Sequence, residues 1–352
     1  MNPISRLFHA LPFSFGSTAK STPSPGAAAL RPPADLRGAH VGLWSASLKQ
    51  ADAIRSGLDQ ALQQLPPGST TQRLAGSAAP DRPLPAATRL EVSDKAAATT
   101  PDQLHASWLS RDSAPGGRSL AMASPRVKDS IAWAAACAEH QVAVVVDLGL
   151  PEEARQLNHC MRSTAPTAFK DHTVTFKGKG VGGGHVEEKK ETALGPEARS
   201  RAVSMVMQPH RFDAKGRPFA ADPWEDATRR EAGAIAQDLA WLRIPCAYDR
   251  AISPGALLAA CRHLRGQDLA GNRTVAFMSP DGDRRSAVYG AAWEIQRHID
   301  RGGRSRSELA DLVETVCMQV RMQRDPEAFS RKEDVASLLA FASLALEERG
   351  RA

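Results

Sequence analysis

The sequence predicts an α/β fold with helices on both faces of a sheet, and three observations carry that expectation. Val142-Ala143-Val144-Val145-Val146-Asp147-Leu148 is an uninterrupted β-branched run of strand length, the pattern of a central strand buried on both faces. Strand-sized runs alternate with stretches of 3.6-residue apolar periodicity through most of the chain. Finally, Val275 to Ser279 is a short apolar run that passes through a turn containing Pro280 and Gly282 and enters a helical pattern from Ser286.

Taken in order, the first helical pattern is Leu48 to Leu65, with Ile54, Leu58, Leu62 and Leu65 on one face and Pro66-Pro67-Gly68 as its stop. Residues 66–86 read as a loop. Arg89 to Val92 and Ser119 to Ala123 are short enough for strands. Pro125 opens a helix whose apolar face is Val127, Ile131, Ala134, Ala135 and Ala138, ending at His140 and leading into the Val142 strand. Thr173 to Phe176 and Ala202 to Gln208 are further strand candidates. Pro223 to Trp241 reads as a helix through Ala227, Ala234 and Leu239. Leu242 to Pro245 is extended, because proline pushes its predecessor out of the helical region. Ser253-Pro254 supplies a cap and a first helical residue for a helix through Leu264. The later helices run from Ser286 to Ile299 (closed by Gly302-Gly303), from a Ser307 cap through Val320, and from Glu333 to Leu346.

Composition narrows the function classes. The apolar fraction is 42% and the aromatic fraction 5%, and no run reaches the roughly 18 apolar residues that span a bilayer. The net charge of +6 is spread along the chain, and with two tyrosines and six tryptophans it does not make the basic, stacking face of a nucleic-acid binder. Five cysteines (Cys137, Cys160, Cys246, Cys261, Cys317) show no paired spacing, so neither a zinc site nor a disulfide framework is expected, and no metal or cofactor is implied. The match to G-x-G-x-x-G at Gly178, Gly180 and Gly183 would have to open a helix inside Gly182-Gly183-Gly184, so it reads as a hairpin tip. The N-terminus has no basic start, continuous apolar segment and small-residue cleavage site of a secretory signal. Ser14 to Pro33 is instead rich in Ser, Thr, Ala, Gly and Pro, a composition that favours disorder.

The strand, tight loop and helix start around Met278 to Ser286 are the architecture of an anion cradle. Backbone N–H groups converge there, the helix dipole favours negative charge, and Arg284 can grip two oxygens in a planar fork. Ser279, Gly282 and Arg284 are therefore the candidate phosphate-binding residues. Two readings of Arg284 stand open: a phosphate clamp, or an ion pair with Asp283 or Asp281.

Met278-x5-Arg284 resembles the cysteine-x5-arginine signature of the protein tyrosine phosphatases. From residue 89 to residue 339 the order of elements is similar to that family's domain, closest to the phosphatases injected by bacterial type III secretion systems. Arg89 to Val92 resembles its opening strand, Met122 to Leu148 its approach to the central sheet, and Arg243-Ile244-Pro245 to Leu264 its acid loop and following helix. Val320 to Leu339 resembles its arginine-rich helix end, glutamine loop and last helix. The resemblance implies a central mixed sheet flanked by helices over residues 87–352, preceded by a helical segment (41–86) and a disordered export leader (1–40).

It also implies a reaction, against which each position can be checked. Met278 stands where the family has its attacking thiolate, and a thioether has no proton to lose. Phe277 replaces the supporting histidine. Asp281 and Asp283 put carboxylates in the loop, where one within about 5 Å of a dianion costs on the order of a kcal/mol. Asp249 matches the general acid only with a one-residue shift, Tyr248 taking the place otherwise. Ser330 and Asp334 stand where relatives place two glutamines. Ser279 lacks an adjacent base, and His159-Cys160 has Pro166 where an arginine should follow. The implied protein is a pseudophosphatase: a secreted effector delivered to the host cytoplasm, binding a host protein that is phosphorylated or not, with a secretion chaperone on its N-terminal segment. An active phosphatase on phosphotyrosine or inositol phosphates with a repurposed nucleophile is one alternative. A protein–protein scaffold without anion binding is the other.

Overall fold

A computed structural model of the chain describes residues 39–64, 90, 104–110, 117–125, 130–150, 153, 167–168, 172–178, 189–209, 211–212, 218–219, 235–247, 250–267, 269, 273–280, 282–325 and 327–351. Residues 33–352 form one compact unit. Its helices are α1 (Ala39–Gln63), α2 (Ser130–Glu139), α3 (Pro254–Arg265), α4 (Arg284–Arg301), α5 (Leu309–Gln323) and α6 (Lys332–Arg349). Its strands are β1 (Ala106–Ser110), β2 (Arg118–Ala123), β3 (Val142–Asp147), β4 (Thr167–Ala168), β5 (His172–Gly178), β6 (Lys189–Lys190), β7 (Arg199–Pro209), β8 (Arg211–Phe212), β9 (Pro218–Phe219), β10 (Ile235–Arg243) and β11 (Thr274–Ser279).

Among the described residues one nine-stranded sheet runs in the order β1-β2-β11-β3-β10-β7-β5-β4, with β6 on β7. β2, β11, β3 and β10 are mutually parallel, while β1 and β7 add antiparallel neighbours, so the sheet is mixed. The pleat then sorts β11. Val275 and Phe277 join a core with residues of α1, α3, α4, α5 and α6, and Ala276 and Met278 join a second core on the α2 face. There the ring of Trp133 meets Trp241 edge-on at 6.0 Å. No described helix is long and apolar enough to cross a membrane.

Several expectations hold closely. The Ser253 side chain accepts from the N–H groups of Gly255 (3.1 Å) and Ala256 (3.3 Å), with Pro254 opening α3. Gly302, at φ 91°, closes α4. Other expectations need correction. The helix expected from Pro223 to Trp241 is contradicted at its C-terminal end, where β10 begins at Ile235. Leu239, Trp241 and Arg243 alternate toward the α2 face while β3 and β7 flank the strand, so sheet pairing overrides an apolar spacing that also suits a helix. Ser305, rather than Ser307, is the capping residue: it caps a 3₁₀ turn (Arg306–Glu308) that leads directly into α5, in a capping box with Glu308. Helix α1 begins at Ala39, well before the Leu48 expected to open it. The expected Arg89 to Val92 strand, the Pro125 helix start and the glycine tip beyond Gly178 fall mostly outside the described residues.

Candidate functional site

The loop from β11 to α4 sits at the carboxyl ends of the parallel strands, where open α/β sheets place their ligands. Gly282 shapes it. At φ +69° its N–H reaches back to the Ser279 carbonyl (3.0 Å) and the Ser279 hydroxyl (3.1 Å). A Cβ there would collide with the backbone of Ala123 and with the Arg324 guanidinium, so glycine is required on both steric and conformational grounds. Arg324, fully buried, fixes the loop from below. Its Nε donates to the Gly282 carbonyl and its Nη2 to His105 Nδ1, both at 2.6 Å. A guanidinium cannot accept, so His105 carries its ring proton on Nε2. Asp283 caps α4 with its backbone carbonyl, which accepts from Ala287 N–H at 3.1 Å.

Arg284 opens α4, and its fork is filled. Nε and Nη2 each donate to one oxygen of Asp334 at 2.7 Å, and Nη2 also donates to the Arg250 carbonyl at 2.8 Å. Both side chains are buried. Two parallel charge-assisted bonds in a planar fork are the geometry by which arginine holds a phosphate, and here a carboxylate of the same chain takes that place. Burial pushes the Asp334 carboxyl above its ordinary range, and the Arg284 fork pulls it back toward the ionised form. A carboxylate on the Arg284 fork therefore comes from α6, where the sequence places a glutamine counterpart.

Arg285 faces a different way. It is 1% exposed and donates to Glu153 (2.7 and 3.2 Å) and to the Cys246 carbonyl (2.9 Å), tying the loop after β10 to the one after β3. Burial raises the Glu153 carboxyl, but Arg285 and the Leu150 N–H outweigh it, leaving Glu153 below the usual range. The Cys246 thiol lies within the field of both arginines. Burial nonetheless pushes it up to about 11, with Arg285 and Arg284 pulling the other way, so it stays protonated at neutral pH.

The remaining sequence candidates fall as follows. Phe277 is fully buried on the helix-rich face of β11, and Met278 packs with Met122, Trp133 and Trp241 on the other, inside the strand rather than above the loop. Ser279 is fully buried, its hydroxyl engaged by Gly282 N–H and its carbonyl also by Ser124 N–H at 2.8 Å. Ser330 is exposed. Asp249, Tyr248, Asp281, His159 and Cys160 lie outside the described residues. Among the described residues no three metal-ligating side chains converge.

Sequence reasoning passed over three groups that the fold assembles: Glu153 on Arg285, His105 on Arg324, and Asp147 with Arg201 and Arg243. Asp147, at the end of β3, accepts from Gly149 N–H at 3.1 Å. Burial raises its carboxyl to about 6, while the Gly149 N–H, Arg243 and Arg201 oppose the rise. The one signal for it was an acid ending a run of buried valines.

No protein-family model and no curated protein matches this chain. Solved structures do. The catalytic domain of human protein tyrosine phosphatase non-receptor type 18 is 14% identical with a TM-score of 0.56, covering 87% of this chain and 98% of that one. The same phosphatase in complex with HER2 phosphopeptides gives 15% identity and a TM-score of 0.58, covering 87% and 95%. The Trypanosoma cruzi protein tyrosine phosphatase TcPTP1 gives 17% and 0.57, covering 88% and 94%. With a mixed sheet, flanking helices and a strand–loop–helix at the carboxyl ends of its parallel strands, this chain has the fold of a protein tyrosine phosphatase catalytic domain.

Proposed function

We propose that this chain is a non-catalytic, tyrosine-phosphatase-like binding protein whose phosphate cradle is occupied by its own Asp334. The bidentate Arg284–Asp334 pair carries the reading. A phosphoryl ligand at the cradle must displace a buried carboxylate from the only fork that the family's signature provides, at the cost of leaving that carboxylate without its cation. Met278 supplies no nucleophile, and neither Ser279, engaged by the loop, nor Cys246, held protonated, replaces it. Of the readings the sequence left open, the protein–protein scaffold is therefore the best supported. The composition of residues 1–40 supports delivery as a secreted bacterial effector, with a host protein as partner and a secretion chaperone on the N-terminal segment.

Two measurements test this. Purified protein is expected to leave p-nitrophenyl phosphate and phosphotyrosine peptides intact and to give no binding heat with phosphotyrosine peptide at the cradle by calorimetry. Turnover abolished by Arg284→Ala sinks the proposal. Export is tested separately, by fusing residues 1–40 to a translocation reporter in a bacterium with a type III system; a reporter that stays inside removes the effector reading and leaves the binding reading intact.

A further inference from the structure

The last residues of two adjacent parallel strands, Asp147 of β3 and Arg243 of β10, are register partners. Along the same row Met278 lies on one side of Asp147 and Arg199 on the other side of Arg243. Arg201, one pleat back on β7, sits with its guanidinium 5.6 Å from the centre of the Trp241 ring. Arg199 is spent on the carbonyls of Pro196 (3.0 Å) and Ala198 (2.8 Å). Arg243 is not. It is 8% exposed, and its Nε and Nη2 are buried without a hydrogen-bond partner among the described residues. Asp147 lies in the field of Arg243, yet two of the guanidinium's donors stay unanswered on the α2 face of the sheet. A buried, charged donor without an acceptor is costly, and an oxyanion answers both the charge and the N–H groups.

We propose that Arg243, supported by the positive field of Arg201, forms a second anion site at the carboxyl ends of β3 and β10, separate from the Arg284 cradle, which takes a tetrahedral oxyanion such as phosphate. Asp147 is its internal counter-charge and sets its affinity. The two sites differ in one respect that decides their behaviour: at Arg284 a carboxylate fills the fork, and at Arg243 nothing among the described residues does.

The test is titration of the full chain with inorganic phosphate, followed by calorimetry and phosphorus NMR line broadening, with circular dichroism to check folding. The wild type is expected to bind, and so is the paired variant Arg284→Met/Asp334→Leu, which deletes the cradle without orphaning a charge. Arg243→Gln should weaken binding at least about tenfold, the effect of one charge-assisted contact. Asp147→Asn should tighten it, a readout available even if Arg243→Gln folds poorly. Competition by O-phospho-L-tyrosine assigns the site to phosphoryl groups carried on a ligand, and failure to compete assigns it to the free ion. No binding by the wild type at tens of millimolar overturns the proposal. Binding unchanged by Arg243→Gln does so too, as does binding lost in the Arg284/Asp334 variant, which would place the ion in the cradle.

Discussion

Arg284 and Asp334, fifty positions apart, hold each other through two N–H···O bonds of 2.7 Å at the mouth of a phosphatase-like loop. Asp334→Asn removes the charge while keeping the shape. It should destabilise the fold by about 3–5 kcal/mol, because the buried guanidinium loses the carboxylate bound across its fork. It should also create phosphate binding at the cradle that the wild type lacks there. Chemical denaturation and phosphate titration read the two effects. The paired change Arg284→Met/Asp334→Leu should cost far less than either single change, since a buried ion pair replaced by apolar volume is often close to neutral.

Restoring the thiol should not restore the reaction. Met278 lies within β11 and packs against the α2-face core, so Met278→Cys places a sulfhydryl in apolar surroundings with Phe277 beside it and Arg284 already engaged. Burial raises the Cys137 and Cys261 thiols in the same way. The expected result is no hydrolysis of p-nitrophenyl phosphate, with stability reduced by about 1–3 kcal/mol from the lost volume.

Asp147 makes a pH prediction. Its carboxyl titrates at about 6 in the folded protein, against an ordinary value of 3.8 for an aspartate in the unfolded chain. The folded state therefore binds the extra proton, and this group's contribution to stability is complete below about pH 4 and lost as pH rises through 6. A displacement of that size is worth about 3 kcal/mol. Relative to the wild type, Asp147→Asn should gain stability as pH rises through that window, and the difference should vanish at its acid end. A difference that stays flat across the window contradicts the raised carboxyl.

Gly282→Ala should be among the more damaging single-methyl changes in the chain, at about 2–4 kcal/mol. It combines strain at φ +69° with collision against Ala123 and Arg324. Gly303→Ala, also at positive φ but open to space, should lose only the conformational part of that cost. Thermal melts of the two variants give the comparison.

What was legible in the sequence follows from how local each signal is. Ser253-Pro254 announces α3 because the cap and the fixed φ of proline lie in adjacent residues. The Val142 run announces β3 because a strand buried on both faces needs no alternation. β10 was not legible: its identity depends on β3 and β7 lying alongside it, and both are remote in sequence. The site divides the same way. The loop and Arg284 stand out by spacing. The carboxylate that fills the arginine's fork arrives from another helix, which spacing along the chain does not reveal. Arg243 gave no signal, because a lone arginine at the edge of an apolar run looks like solvated surface until the sheet encloses it.

Helix α1 docks on surfaces that lie far along the chain from it. Its buried stripe of Trp44, Ala51, Ile54 and Leu58 packs against α5 and α6, with Asp59 on Arg321 at 2.6 Å and Asp52 on Lys332 at 3.6 Å. Asp59 and its arginine are 262 residues apart. At translation speeds of about 5–20 residues per second, α1 must wait tens of seconds for the surface it covers. For that interval an amphipathic helix carrying an indole is without a seat in every newborn copy. A holdase acting during synthesis would meet this segment undocked, and the finished chain would offer it already in place.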